Sequence, residues 1–298
     1  MLYLSYSTGF SSGGFNGSQT ALITEATRTF NPQEVDAIEL GSKNRFLNNT
    51  LQFNVAAFIN KYKNQQEQRQ VPVGLVTASL LFNAAKSEAK GLEIEGEWRL
   101  TRDFTVGGTL SLLDAKYTSF PDAPGPIAIT QLIDSPGTAA VVVNGVTIAP
   151  AGQTRVFAPG YNCGLVNGTG INGVPQAYGC DLTGKKIPYA ADYSGSVYAS
   201  YSIGLGKLGS LTPMVIANFS SGYFGQIYNT EAEKQGSYVK GDFKLNWRVS
   251  DELSVQGFVD NFTDKTVINR FVWGGGSTLQ ASVAAPRTFG VKASYKFF

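Results

Sequence analysis

Few residues in this chain are equipped for chemistry. Histidine is absent from all 298 positions, which removes Ser/His and Cys/His nucleophilic pairs and His-based zinc sites. Two carboxylate pairs remain, Asp260 with Asp264 and Glu231 with Glu233, and such pairs can serve acid/base catalysis or hold calcium. Both fall where solvated carboxylates are ordinary. The glycines Gly13-Gly14 and Gly274-Gly275-Gly276 lack the strand-to-helix setting of a phosphate cradle. The sequence therefore predicts no catalytic residue, no metal site, no cofactor and no enzyme. Cys163 and Cys180 share one Gly- and Asn-rich connection and predict a loop disulfide in an oxidising compartment, with two free thiols as the alternative.

Glu93, Glu95 and Glu97 occupy alternate positions of one segment, so a β-strand would place all three on one face, where an apolar core would not tolerate them. A wet lumen would, with Lys43 and Arg45 of a neighbouring strand opposite. The final segment shows what the other face holds: Phe289, Val291, Ala293, Tyr295 and Phe297 alternate with Gly290, Lys292, Ser294 and Lys296. Nine further segments repeat this period of two, and none of similar strength follows a helical period. The strands expected are 2–10, 34–46, 50–64, 88–99, 104–118, 189–202, 211–224, 237–249, 253–267 and 287–298. No run approaches the roughly 20 apolar residues of a spanning helix, whereas segments of about 10 suit a tilted spanning strand. Hydrophobic content of 43% and mean hydropathy of −0.07 are compatible with a barrel, which spends half of each strand on its lumen.

The connections alternate in length. Short ones lie at 47–49, 100–103, 203–210 and 250–252, and long ones cover 11–33, 65–87, 119–188, 225–236 and 268–286. That alternation predicts short periplasmic turns and long extracellular loops. Phe46, Trp98, Tyr201, Trp247 and Phe297 each stand on the outward parity where a strand meets a short turn or the C-terminus, as a membrane aromatic girdle requires. The long loops are the expected ligand-contacting segments, notably the Cys163–Cys180 loop, Tyr223, Tyr228, Phe271 and Trp273. A net charge of +2 with scattered Lys and Arg gives nucleic acid no electrostatic footing. Met1 is followed at once by strand-like sequence without a signal peptide, which predicts a fragment or a gene model begun at an internal methionine.

Six stretches in order resemble the barrel of TonB-dependent outer-membrane receptors: Tyr3 to Asn16, Phe30 to Lys43, Asn54 to Lys63, Lys90 to Glu95, Val259 to Lys265 and Pro286 to Val291. The resemblance implies an all-β, antiparallel transmembrane wall, residues 1–298 forming about ten strands of the C-terminal part of a larger, 22-stranded barrel. It further implies the outer membrane of a Gram-negative bacterium and a lipid bilayer around the wall. It implies TonB-coupled uptake of a scarce, bulky nutrient through a plug domain that is missing here. A ferric siderophore is the leading ligand, with cobalamin or an oligosaccharide as others. The family's wall usually ends on the aromatic equivalent to Phe297, and this chain adds Phe298. The alternatives are a passive ten-stranded channel, closed by pairing Leu2–Phe10 with Phe289–Phe298, and a soluble β-rich binding module whose outward rows are buried against a second sheet.

Overall fold

The computed structural model describes residues 1–17, 28–73, 76–121, 123–124, 130–134, 136–143, 146–157, 163–165, 178–273 and 279–297. Ten strands form an antiparallel meander in chain order: β1 (Leu2–Ser11), β2 (Gln33–Phe46), β3 (Leu51–Val73), β4 (Val76–Arg99), β5 (Phe104–Ser119), β6 (Tyr193–Tyr201), β7 (Ser210–Ser220), β8 (Tyr238–Arg248), β9 (Leu253–Asp260) and β10 (Thr288–Tyr295). Among the described residues β1 pairs only with β2 and β10 only with β9, so the sheet is open and does not close as a ten-stranded channel.

Residues directly opposite one another in an antiparallel ladder share a face. Pairing therefore carries one face across the whole wall. The row Phe46, Leu51, Trp98, Val106, Ala199, Val215, Phe243, Val259, Phe289 is in register from β2 to β10 and apolar at every position. Three rows further along the strands, Leu4, Leu40, Ala57, Leu92, Leu112 and Tyr193 stand in one row. No second sheet covers them among the described residues, and Leu4 (73% exposed), Val197 (52%) and Val291 (77%) stand open, unlike the inner rows of a sandwich.

Phe46 is the last residue of β2, whereas Phe289 is second in β10 and lies eight positions before Phe297. The row thus climbs about 26 Å of strand while crossing about 38 Å of sheet, a strand tilt of about 35° at the usual rise and spacing. Ten positions along the strands from Phe46, Leu51 and Trp98 come Asp36, Lys61 and Glu88. On that tilt they lie about 27 Å higher, close to the height of a barrel's apolar band. An aromatic edge below and an ionic edge above bound the outer face.

Two strands outrun the sequence expectation. β3 and β4 have 23 and 24 residues, and their ladder continues through Pro72↔Thr77 to Val73↔Val76, so the long loop expected at 65–87 is a projecting hairpin. Residues 65–70 are polar at every position, so the alternation that marks a strand disappears there. The loop expected at 119–188 likewise contains short ribbons, pairing Thr130–Asp134 with Gln153–Phe157 and Cys163–Leu165 with Tyr178–Cys180. Ile268–Trp273 and Leu279–Val283 form another ribbon. The sixth, seventh and ninth strands are shorter than expected, ending or starting at Tyr193, Ser220 and Asp260.

Candidate functional site

The lumen face alternates with the apolar rows. One register line reads Lys43, Asn54, Glu95, Thr109, Ser196, Asn218, Lys240, and the next Arg45, Gln52, Glu97, Gly107, Tyr198, Ile216, Asp242. Lys43 and Arg45 therefore do not adjoin the Glu93, Glu95, Glu97 column; β3 stands between, with Asn54 and Gln52 as the intervening partners. The two cations are thus not on the strand next to the glutamates, and Asn54 Nδ2 of the strand between donates to Glu95 Oε2 at 3.2 Å. All three glutamates are exposed on this face.

The lumen is less uniformly polar than the sequence suggested. Tyr3, Phe58, Tyr198 and Phe258 also point inward, and each lies directly opposite a glycine: Gly41, Gly91, Gly107 and Gly290. The rings occupy the space a side chain would need, since a Cβ on Gly107 or Gly290 would fall 2.6 or 2.9 Å from the opposite ring. Tyr3 donates to Glu39 Oε1 and Tyr198 to Glu97 Oε2, each at 2.6 Å. Further round, Gln256 donates to Asn246 at 2.5 Å and Asn218 to Asp242 at 3.2 Å, and Asn246, Ser254, Gln256, Lys292 and Ser294 line a shallow polar recess.

At the upper end the loops build a small core on the inner side of β4 and β5. Ala85, Tyr117, Phe120, Ala123, Cys180, Leu182 and Tyr228 are buried together, with Cys163 and Ile227 packed against them. Cys163 and Cys180 are joined by a disulfide, with Cα atoms 4.0 Å apart. Tyr117 donates to Glu67 Oε1 at 3.1 Å, Gln65 Nε2 donates to the same oxygen at 2.9 Å, and Ser87 donates to Gln65 at 2.5 Å. Burial pushes the Glu67 carboxyl above its usual range, partly offset by those two donors. Burial, then the Glu67 charge, pushes the Tyr117 phenol up as well.

The aromatic residues expected to meet ligand fall differently. Tyr228 is 7% exposed within this core, and Phe271, 3% exposed, fills the space beside Gly225, whose Cβ would collide with the ring. Both rings are occupied in loop packing and offer little surface to a ligand. Tyr223 is half-buried, packs at a tilt against Tyr189 with ring centroids 5.5 Å apart and donates to the Ile268 carbonyl at 2.6 Å. The Trp273 backbone pairs with Leu279, and its side chain lies outside the described residues. Three of the four carboxylates in those pairs have structural partners: Glu233 closes a capping box with Thr230, Glu231 pairs with Lys234, and Asp264 pairs with Arg287.

Sequence reasoning missed Tyr117, Phe120 and Leu182, which carry the loop core, and the amides that tie loops to the hairpin. Asn16 both donates to the Leu81 carbonyl and accepts from the Leu81 N–H, each at 2.8 Å, while Asn83 donates to the carbonyls of Asn31 and Asn64 at 2.8 Å. Only the density of Asn and Gln around these strand ends signalled them.

Phe46, Trp98, Tyr201 and Trp247, the residues expected to form a girdle, lie on the outward face, and Phe297 follows β10 with its ring 5.0 Å from Tyr295. Comparison with known proteins agrees with the wall. The family model for the TonB-dependent receptor-like β-barrel matches residues 1–262. The pesticin receptor of Yersinia enterocolitica is 22% identical over 297 residues, covering all of this chain and 34% of that protein. The crystal structure of the ferric yersiniabactin uptake receptor of Yersinia pestis superposes with a TM-score of 0.68 at 18% identity, over 100% of this chain and 35% of that one. The siderophore receptor PiuA of Acinetobacter baumannii gives 0.60 at 18% identity, over 98% and 33%. The chain thus spans about a third of the length of these relatives, and it belongs to the TonB-dependent receptor β-barrel family.

Proposed function

We propose that this chain supplies ten wall strands and their extracellular loops to an outer-membrane receptor that imports a ferric siderophore by TonB-coupled transport. Residues 1–298 would be the C-terminal part of that barrel, with plug and TonB contact contributed by other parts of the receptor. Family membership carries the reading, sharpened by relatives named for ferric yersiniabactin uptake and siderophore reception. An apolar band of spanning height supports the membrane, and the ionic inner face supports a hydrated lumen.

The test is uptake of radioactive iron by cells lacking other siderophore receptors and expressing the full-length gene, with a panel of ferric siderophores and a matched strain without TonB. Uptake of one siderophore class that vanishes without TonB is expected. Accumulation that persists without TonB and extends to unrelated solutes of similar size would sink the proposal in favour of a passive channel.

A further inference from the structure

Charge is unevenly distributed around the lumen face. Glu93, Glu95 and Glu97 stand on β4, whereas Lys240 and Lys244 of β8 and Lys292 of β10 point inward from strands at least four further on, roughly 19 Å or more across the sheet. Lysines on the outer face are matched: Lys63 with Asp36 at 2.9 Å, Lys90 with Glu88 at 3.5 Å and Lys116 with Asp114 at 3.3 Å. Among the described residues Lys240, Lys244 and Lys292 form no ion pair. Lys244 lies between Met214 and Phe258, and Lys292 lies opposite Gln256. Asp242, two residues from both Lys240 and Lys244, instead accepts from Asn218 at 3.2 Å and from the Asn261 N–H at 2.7 Å.

Lys292 borders the recess on β8, β9 and β10, which has a volume of about 120 Å³ and no carboxylate in its lining. Gln256 Nε2 donates to Asn246 Oδ1, so Asn246 keeps both amide hydrogens and Gln256 keeps one. With the hydroxyls of Ser254 and Ser294, the recess offers neutral donors around one ammonium. That set suits a singly charged carboxylate better than a phosphate dianion, which favours several cations or an arginine fork. Lys240 and Lys244 repeat the charge about 13 Å apart along β8. A fixed carboxylate needs one such site, whereas a series spread along the wall suits one that moves, each site binding weakly enough to release it. We infer that Lys292 and its recess bind a carboxylate of the iron-loaded cargo during passage, with Lys240 and Lys244 guiding its approach. The cargo is accordingly a carboxylate-bearing ferric siderophore, kept to this side of the lumen by repulsion from the β4 glutamates. The inference rests on the receptor reading above.

The experiment measures radioactive-iron uptake by cells expressing the full-length receptor. The two probes are a citrate-based ferric siderophore with a free carboxylate and its methyl ester, both at saturating concentration. The readout is the ratio of the acid's rate to the ester's, in which differences in receptor number between variants cancel. The parent should import the acid about tenfold faster, the scale of one charge-assisted hydrogen bond. K292Q should bring the ratio close to one, and K292R should keep most of it. A K292Q ratio equal to the parent's overturns the site. So does a K292Q protein that slows acid and ester alike, because the lysine would then pair with the receptor's own plug. A parent that imports only siderophores without carboxylates overturns this inference and leaves the receptor reading standing, whereas a parent with no TonB-dependent uptake of any siderophore removes both.

Discussion

The Tyr198 hydroxyl donates to Glu97 at 2.6 Å, reaching from β6 over Gly107 of β5 to β4. One side chain thus joins three strands, and it can do so only because β5 offers no Cβ beneath the ring. Gly107→Val should force the ring aside and cost about 1–3 kcal/mol by overpacking. Tyr198→Phe should lose about 1 kcal/mol, the worth of one hydrogen bond. Urea midpoints for folding into micelles measure both. A Gly107→Val protein as stable as the parent would show that the ring does not occupy the glycine's space.

How much of this was legible follows from where the signal arises. The outward set Leu51, Phe53, Val55, Ala57, Ile59 was readable because a wall between lipid and water imposes strict alternation, and register then placed every such set on one face. Gln65 to Val73 was not readable as strand, because residues 65–70 are polar at every position and Pro72 breaks the pattern beyond them. The loop core escaped for a different reason. Tyr117 and Tyr228 are far apart in sequence and no local pattern brings their rings together. Among the aromatic loop residues, composition identified which were present but not whether they faced solvent or one another.

Glu67 makes the loop core sensitive to pH. Its folded value is raised above the ordinary 4.5, so the folded hairpin holds the proton more tightly than the unfolded chain does. That stabilisation is fully present below about 4.5 and is lost as pH rises through the raised value. Hydrogen exchange in residues 178–190 should therefore quicken from acid toward neutral pH beyond the intrinsic rate. Glu67→Gln should flatten that excess; an undiminished dependence would assign it elsewhere.

The disulfide closes 17 residues of sequence separation around Cys180, which is fully buried. Loop closure on this scale is worth about 3 kcal/mol. Cys163→Ser with Cys180→Ser should open the loop core to limited proteolysis while leaving the wall's unfolding midpoint in place, because the disulfide joins two short strands that lie outside the ten-stranded sheet. A large drop in that midpoint would mean that loop and wall fold as one unit.

Phe271 should act through packing. Phe271→Ala empties a site 3% exposed and should cost about 3–5 kcal/mol, read as faster hydrogen exchange across 221–237. Tyr223→Phe removes only the bond to the Ile268 carbonyl and should cost about 1 kcal/mol. Local exchange that is faster in Tyr223→Phe than in Phe271→Ala would reverse this assignment of roles.

The parity of the wall has the sharpest test. Val197 and Ser196 are consecutive on β6, yet Val197 opposes Gly108 and Ala217 on the apolar face while Ser196 opposes Thr109 and Asn218 on the lumen face. An arginine on the lipid side near the middle of the band costs about 2–4 kcal/mol, whereas the lumen hydrates it. Val197→Arg should therefore assemble poorly into outer membranes and unfold at lower denaturant, and Ser196→Arg should assemble nearly as the parent does. Equal tolerance of the two would mean that neither face meets lipid, and the register that joins Phe46 to Phe289 would then describe a sheet in water.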